Sequence, residues 1–388
     1  MKLIETWRWF GPDDPVSLAD IRQTGAEGIV TALHHIPHGE IWPVNEILKR
    51  KELLSAHGFP WTVVESLTVH EDIKTRSGDY LVYIEKYKRS LENISACGIG
   101  IVTYNFMPVN DWTRTSLDYR MPDGSKALYF NRVDLAVFDI FLLKRKDASA
   151  DYTDAVIREA EKKYSSYSPG QLDQLASVIM FGIPGEVKMT LDKMRYKLAA
   201  YHGMDHQSLR ENLKYFLSQV VPVAGELGIR MAIHPDDPPF DIFGLPRIVS
   251  DGEDLEFITN AVPHPSNGIC FCTGSLGVSP DNDLVEMIRA LGTRIHFVHF
   301  RNTKRDPYGN FVEADHLGGD TDLYAVMKEI LDMRQQVNVP IPFRPDHGHQ
   351  MLSDLSVSTN PGYSCIGRMR GLAELRGMQT GILRSMGW

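Results

Sequence analysis

Eight times along this 388-residue chain a short apolar run gives way to a helical pattern, and nearly every run ends in ionisable or metal-ligating side chains. Alternation of that kind argues for parallel strands joined by crossover helices. Eight units are the number that closes a (β/α)8 TIM barrel, whose active sites gather at the C-terminal ends of the strands. An open doubly wound sheet would draw its site from loops near one switch point. It would also favour a G-x-G-x-x-G after the first run, and none is present.

Leu3 to Phe10 is the first run and contains Trp7-Arg8-Trp9. Gly28 to Leu33 leads to His34-His35, Trp61 to Val64 to Glu65-Ser66, and Ile99 to Tyr104 to Asn105. Arg230 to Ile233 leads to His234-Pro-Asp-Asp, Gly268 to Phe271 to Cys272, and Ile295 to Val298 to His299-Phe-Arg301-Asn302. The eighth run opens at Pro340 and ends in the densest set, Arg344, Asp346, His347 and His349. Ser17 reads as a helix N-cap, and Gly58, Gly98 and Gly228 as helix stops.

The alternation fails from Val109 to His206. Asp111 to Gly124 reads as an irregular loop, and helical patterns follow at Val133–Lys144, Tyr152–Tyr164, Gln171–Met180 and Thr190–Tyr201. The segment 109–206 therefore reads as a mostly helical insertion after the fourth strand of a single barrel domain spanning 1–388. Such an insertion can serve as a lid, a contact between copies of the chain, or a surface decoration.

Composition excludes several classes. A chain that is 43% hydrophobic with net charge −9 can bury a large core and has no basic footprint for nucleic acid. No run of ~18 apolar residues occurs, so no membrane-spanning helix is expected. The start, MKLIETWRWFGPDD, is not read as a signal peptide. Cys97, Cys270, Cys272 and Cys365 are too few for a disulfide scaffold, and the cytoplasm is the simplest compartment. Homo-oligomer formation stays open.

Four consecutive strand ends carry metal-ligand types: His234, Cys272, His299 and Asp346. Barrel closure makes them neighbours. Residues two apart on a strand share a face, which pairs Cys270 with Cys272, His299 with Arg301, and Arg344 with Asp346. Two imidazoles, a thiolate and a carboxylate suit Mn²⁺, Fe²⁺, Co²⁺ or Zn²⁺, and among these we expect Mn²⁺ or Fe²⁺. Singly, each residue has another reading. Cys272 can be a small buried hydrophobe, His299 a hydrogen-bonded core histidine, and His234 a turn residue. Arg8, His34, Glu65, Arg301, Asn302 and Arg344 would face the same mouth as substrate contacts. The arginines suit a carboxylate, or pair with Glu65, Asp236 or Asp237 to hold loops. His347 points differently from Asp346 and is left for proton transfer. Tyr363 sits in a loop that can close over the site or simply anchor it.

Longer segments carry a family. With TWRWFGPDDPVSL, HHIPHGEIW, VVESLTVHEDIK, IHPDDPPFDIFGLPRIVS, FCTGSLG, HFRN, FRPDHGHQML and NPGYSCIGRMRGLAELRG, the chain resembles mannonate dehydratases of hexuronate catabolism from end to end. The resemblance implies a metal-dependent, xylose-isomerase-like TIM barrel that dehydrates the small aldonate D-mannonate to 2-keto-3-deoxy-D-gluconate. It places the ligands on His234, Cys272, His299 and Asp346, and the acid/base pair on His347 and Tyr363. A metal-dependent sugar isomerase or epimerase on the same barrel is the alternative enzyme. A sugar-acid binding protein is the alternative outside catalysis; it would need neither the metal-bound Cys nor a proton-transfer pair.

Overall fold

Strands that are apolar throughout must be covered on both faces, which in a parallel sheet is done by crossover helices outside and packed side chains within. In the computed structural model, which describes residues 2–181, 189–335 and 339–387, the first four strands are β1 (Ile4–Arg8), β2 (Gly28–Thr31), β3 (Trp61–Val64) and β4 (Ile101–Tyr104). β5 (Ser116–Arg120) and β6 (Lys126–Phe130) precede β7 (Arg230–Ile233), β8 (Asn267–Cys272) and β9 (Ile295–Phe300). β10 (Thr303–Arg305), β11 (Phe311–Glu313) and β12 (Pro342–Pro345) follow. Eight of these close a barrel in the order β1-β12-β9-β8-β7-β4-β3-β2. Every neighbouring pair is parallel. They are the eight runs marked in the sequence, and the (β/α)8 class holds.

The crossover helices have local causes. Ser17 and Asp20 form a capping box at the start of Leu18–Thr24, and Gly25, at φ 78°, ends that helix in the left-handed conformation. Asp205 caps His206–Glu226, whose Leu209, Leu213, Phe216, Leu217, Val220 and Ala224 recur at helical spacing and are buried. Inside the barrel, Val30, Val63, Ile101, Ala232, Cys270 and Phe297 form one buried layer, each from a different strand. This layer is the floor beneath the strand ends, so chemistry is confined to one mouth.

The insertion differs from its expectation. Three of its helices occur, at Asp154–Ser166, Pro169–Ile179 and Leu191–Ala199. The single helix expected over Val133–Lys144 is instead Arg132–Ala136 continuing as a π-helix, Val137–Leu143. Residues 182–188 of the insertion lie outside the described residues. Asp111–Gly124 is not irregular throughout, because β5 and β6 form a hairpin around Gly124, at φ 88°. β6 pairs with β11 and β11 with β10, giving an antiparallel sheet ordered β10-β11-β6-β5. Phe130 stacks on Phe311 across it, with ring centroids 5.1 Å apart. Most of β5 faces solvent, so it lacks an apolar alternation, and the partner of β6 lies far along the chain. Periodicity registers neither feature.

Candidate active site and metal centre

The strand-end pairs follow the two-residue alternation. Arg344 Nη1 hydrogen-bonds the Asp346 carboxylate. His299 Nδ1 lies 3.9 Å from Asp346 Oδ2, and Arg301 Nη1 donates to the same oxygen at 3.4 Å. Both thiols face inward: Cys270 Sγ is 3.2 Å from His299 Nε2, and Cys272 Sγ is 3.9 Å from Asp346 Oδ2.

Among the described residues, two overlapping groups could hold a metal ion, each with donor atoms within 4.8 Å of one another. One is Cys272, His299 and Asp346; the other is His234, Cys270 and His299. The His234 and His299 rings stand 5.0 Å apart. His234 Nδ1 donates to the Pro235 carbonyl at 2.7 Å, which leaves Nε2 for a ligand role. Burial alone would raise the Cys272 thiol. The Arg301 guanidinium and hydrogen bonds with His234 and His299 outweigh it and hold the thiol well below its usual range. A thiolate, two imidazoles and a carboxylate in this proximity fit a divalent transition ion.

The arginines are largely matched by carboxylates. Arg344 grips Glu65 with two hydrogen bonds, 3.0 Å from Nε and 2.7 Å from Nη2. Arg301 Nη1 donates to Asp237 Oδ2 at 2.7 Å. Arg8 differs: its Nη2 is 3.1 Å from His34 Nε2, and its buried Nη1 has no hydrogen-bond partner. All three arginines line the cavity; Arg344 and Arg301 are hydrogen-bonded to carboxylates, whereas Arg8 Nη1 stands 4.0 Å from Glu65 Oε2.

Behind these lies a buried ionic network that sequence reasoning missed. Arg114, 1% exposed, donates to both oxygens of Asp237 at 2.8 and 3.1 Å, and to Glu313 Oε1 at 2.6 Å. The only hint was an Arg, Tyr and Trp-rich loop; nothing in sequence joins Arg114 to Glu313. Burial opposes ionisation of both carboxylates, but Arg114 and Arg301 overcome it. Asp237 is held well below 3.8, and Glu313 falls to about 2 from 4.5. Both folded values lie below the unfolded ones, so the stabilisation is complete above the ordinary carboxylate range and is lost as pH falls through it. The melting temperature is expected to drop steeply from about pH 4.5 toward pH 2. A melting temperature flat across that window, followed by calorimetry, would contradict the network.

A cavity of about 760 Å³, counted to its open mouth, lies at the strand ends. Arg8, Glu65, His234, Arg301, Arg344, Asp346, His347 and Tyr363 line it. Cys272 and His299 sit beneath, fully buried. Tyr363 donates to Asp346 Oδ1 at 3.1 Å, and its ring stands perpendicular to that of His347 with centroids 5.1 Å apart. Burial and the Asp346 charge push the Tyr363 hydroxyl above its usual range. Two expected substrate contacts are not on the wall. His34 stands behind Arg8. Asn302 points away; its amide donates to the His316 and Thr321 carbonyls, both at 2.9 Å, and its oxygen accepts from Thr303 and Thr321 N–H. It ties the loop after β9 and has no donor left for a substrate. Asn105, Asp111 and Trp112 line the cavity instead.

Fold and cavity together define the class, a TIM barrel with a polar cavity at the C-terminal ends of its strands, where the active sites of this fold lie. A crystal structure of a xylose isomerase domain protein from Planctomyces limnophilus shares the fold, with TM-score 0.50 at 10% identity over 100% of this chain and 99% of that one. A family profile described as D-mannonate dehydratase (UxuA) matches residues 1–386. A mannonate dehydratase from Marinomonas sp. (strain MWYL1) is 52% identical over 384 residues, covering 97% of this chain and 98% of the relative. The crystal structure of mannonate dehydratase from Streptococcus suis serotype 2 superposes with TM-score 0.78 at 34% identity, over 100% of this chain and 95% of that one. The chain belongs to the D-mannonate dehydratase family and is a hydro-lyase.

Proposed function

We propose that this protein converts D-mannonate to 2-keto-3-deoxy-D-gluconate and water, in cytoplasmic hexuronate catabolism. Family membership supports the reaction. The observation that carries the site is that one cavity joins the metal-capable cluster to His347 and Tyr363, whose rings stand side by side on its wall.

His234, Cys272, His299 and Asp346 would hold a divalent ion, Mn²⁺ or Fe²⁺. Bound there, it would supply Lewis-acid stabilisation of charge developing on the substrate carboxylate and C2 oxygen. The remaining work belongs to side chains. Arg8 Nη1 donates to the carboxylate and orients the chain of carbons. His347 removes the C2 proton, and Tyr363 returns a proton to the C3 hydroxyl as its C–O bond breaks. The enol so formed tautomerises to the 2-keto acid. General acid–base help of this kind is worth ~10²–10⁴-fold per group.

The test is 2-keto acid formation from D-mannonate by EDTA-stripped protein, with and without added Mn²⁺. Product is expected only with the metal restored. Folded protein that yields no 2-keto acid with any divalent ion would overturn the reading.

A further inference from the structure

His347 Nδ1 has two neighbours that demand opposite tautomers. Glu313 Oε1 lies 3.1 Å away and, ionised, only accepts; Arg301 Nη1 lies 3.5 Å away and only donates. If Arg301 prevailed, the Nδ1 lone pair would be occupied and the proton would sit on Nε2, where it would block that nitrogen as a base. If Glu313 prevails, Nδ1 carries the proton and the Nε2 lone pair is available. Nε2 is 3.8 Å from Asp346 Oδ1, beyond hydrogen-bond reach, on a ring that lines the cavity.

Distance and rigidity both favour Glu313. Its carboxylate is the closer partner. The residue is buried, and Arg114 Nη2 fixes Oε1 from the far side at 2.6 Å. Its backbone is held twice. Glu313 pairs with Thr303 in the antiparallel ladder, and its carbonyl accepts from His349 Nε2 at 2.8 Å. Arg301, in contrast, spends the same Nη1 on Asp237 at 2.7 Å.

We infer that Glu313 is the positioning residue for His347, holding the imidazole with its proton on Nδ1 so that Nε2 faces the substrate. Glu313 lies on β11 and Arg114 two residues before β5, so the small antiparallel sheet delivers the orienting group into the barrel mouth. This gives the sheet a role in the reaction that neither the barrel nor the metal ligands supply. The inference rests on the proton-transfer role proposed above for His347.

The test combines kinetics with imidazole NMR. In Mn²⁺-loaded protein, Glu313→Gln is expected to lower kcat about 10²-fold with KM within about 3-fold, because a group that orients a base acts on the transition state. Added to His347→Gln, the same change should cost less than about 3-fold, since Glu313 acts through the ring already removed. In Zn²⁺-loaded, ¹⁵N-histidine-labelled protein at alkaline pH, the His347 signal is identified among the 14 histidines by its loss in His347→Gln. It should report an Nδ1 proton in the parent and lose that state in Glu313→Gln. A parent ring protonated on Nε2, or an equal kcat loss with and without His347, would overturn the inference. If Glu313→Gln does not fold, Glu313→Asp keeps the negative charge in the buried network while shortening its reach toward His347, and the same comparisons apply. Full turnover in His347→Gln alone would refute the base itself. An essential His347 with an indifferent Glu313→Gln would refute only the positioning role.

Discussion

Replacing His347 with Gln is expected to leave metal content unchanged while cutting turnover by about 10²–10⁴-fold. His347 Nδ1 is already engaged by Glu313 at 3.1 Å, and the ring packs between Tyr363 and Trp112 at centroid distances of 5.1 and 6.0 Å. Gln fills much of that space and can still donate to Glu313, so the fold and the neighbouring Asp346 keep their geometry. It cannot take a proton at the position of Nε2. The loss should therefore appear in kcat, with KM close to the parent's, because recognition of the carboxylate rests on Arg8. Metal analysis and steady-state kinetics on one preparation decide the matter. Unchanged kcat in the metal-replete variant would remove His347 from the mechanism.

Changing Cys272 to Ser should act on the metal instead. The thiol is held well below its usual range, chiefly by Arg301 and the two histidines acting against burial, so it offers a thiolate without a proton to displace. A serine hydroxyl keeps its proton and is a poorer partner for a borderline ion. Affinity for the divalent ion is expected to fall by about 10²-fold, with turnover partly restored at high Mn²⁺. Cobalt substitution gives a direct readout, since thiolate-to-metal absorption should vanish in Cys272→Ser and survive in Cys270→Ser. The converse would seat the ion in the deeper group of His234, Cys270 and His299. Cys270 belongs to the apolar floor layer, and burial raises its thiol well above the ordinary range, so it favours the protonated form that does not bind metal.

Some of this was legible without coordinates because burial leaves a strong trace in sequence. A strand covered on both faces must be apolar along its length, and its end must turn polar where it meets the cavity. That contrast marks Ile295 to Val298 before His299 and Ile341 to Phe343 before Arg344. The alternation of side chains along a strand then predicts that Arg344 and Asp346, or Cys270 and Cys272, share a face. The antiparallel sheet left no such trace. β5 is mostly exposed, and β6 meets β11 only after the chain has built three more barrel strands. Asn302 and His34 stand at strand ends like the other polar residues, yet they serve the loop and Arg8 instead of the cavity. Their partners are set by the loop paths that bring up Thr321 and His316 and by the strand pairing that brings up Arg8, neither of which periodicity encodes.

The sequence by itself determined the barrel and the end at which its ionisable side chains gather, and put His234, Cys272, His299 and Asp346 forward as metal ligands, because each depends on local polarity and strand-end chemistry. Tertiary structure alone decided how the charges divide. It matched Arg344 to Glu65, Arg301 to Asp237, and Arg114 to Asp237 and Glu313, and it left Arg8 Nη1 without a hydrogen bond, 4.0 Å from Glu65 Oε2. Ionic pairing in a buried site depends on distances of a few ångströms between groups far apart in the chain, and only the closed barrel and its attached sheet set those distances.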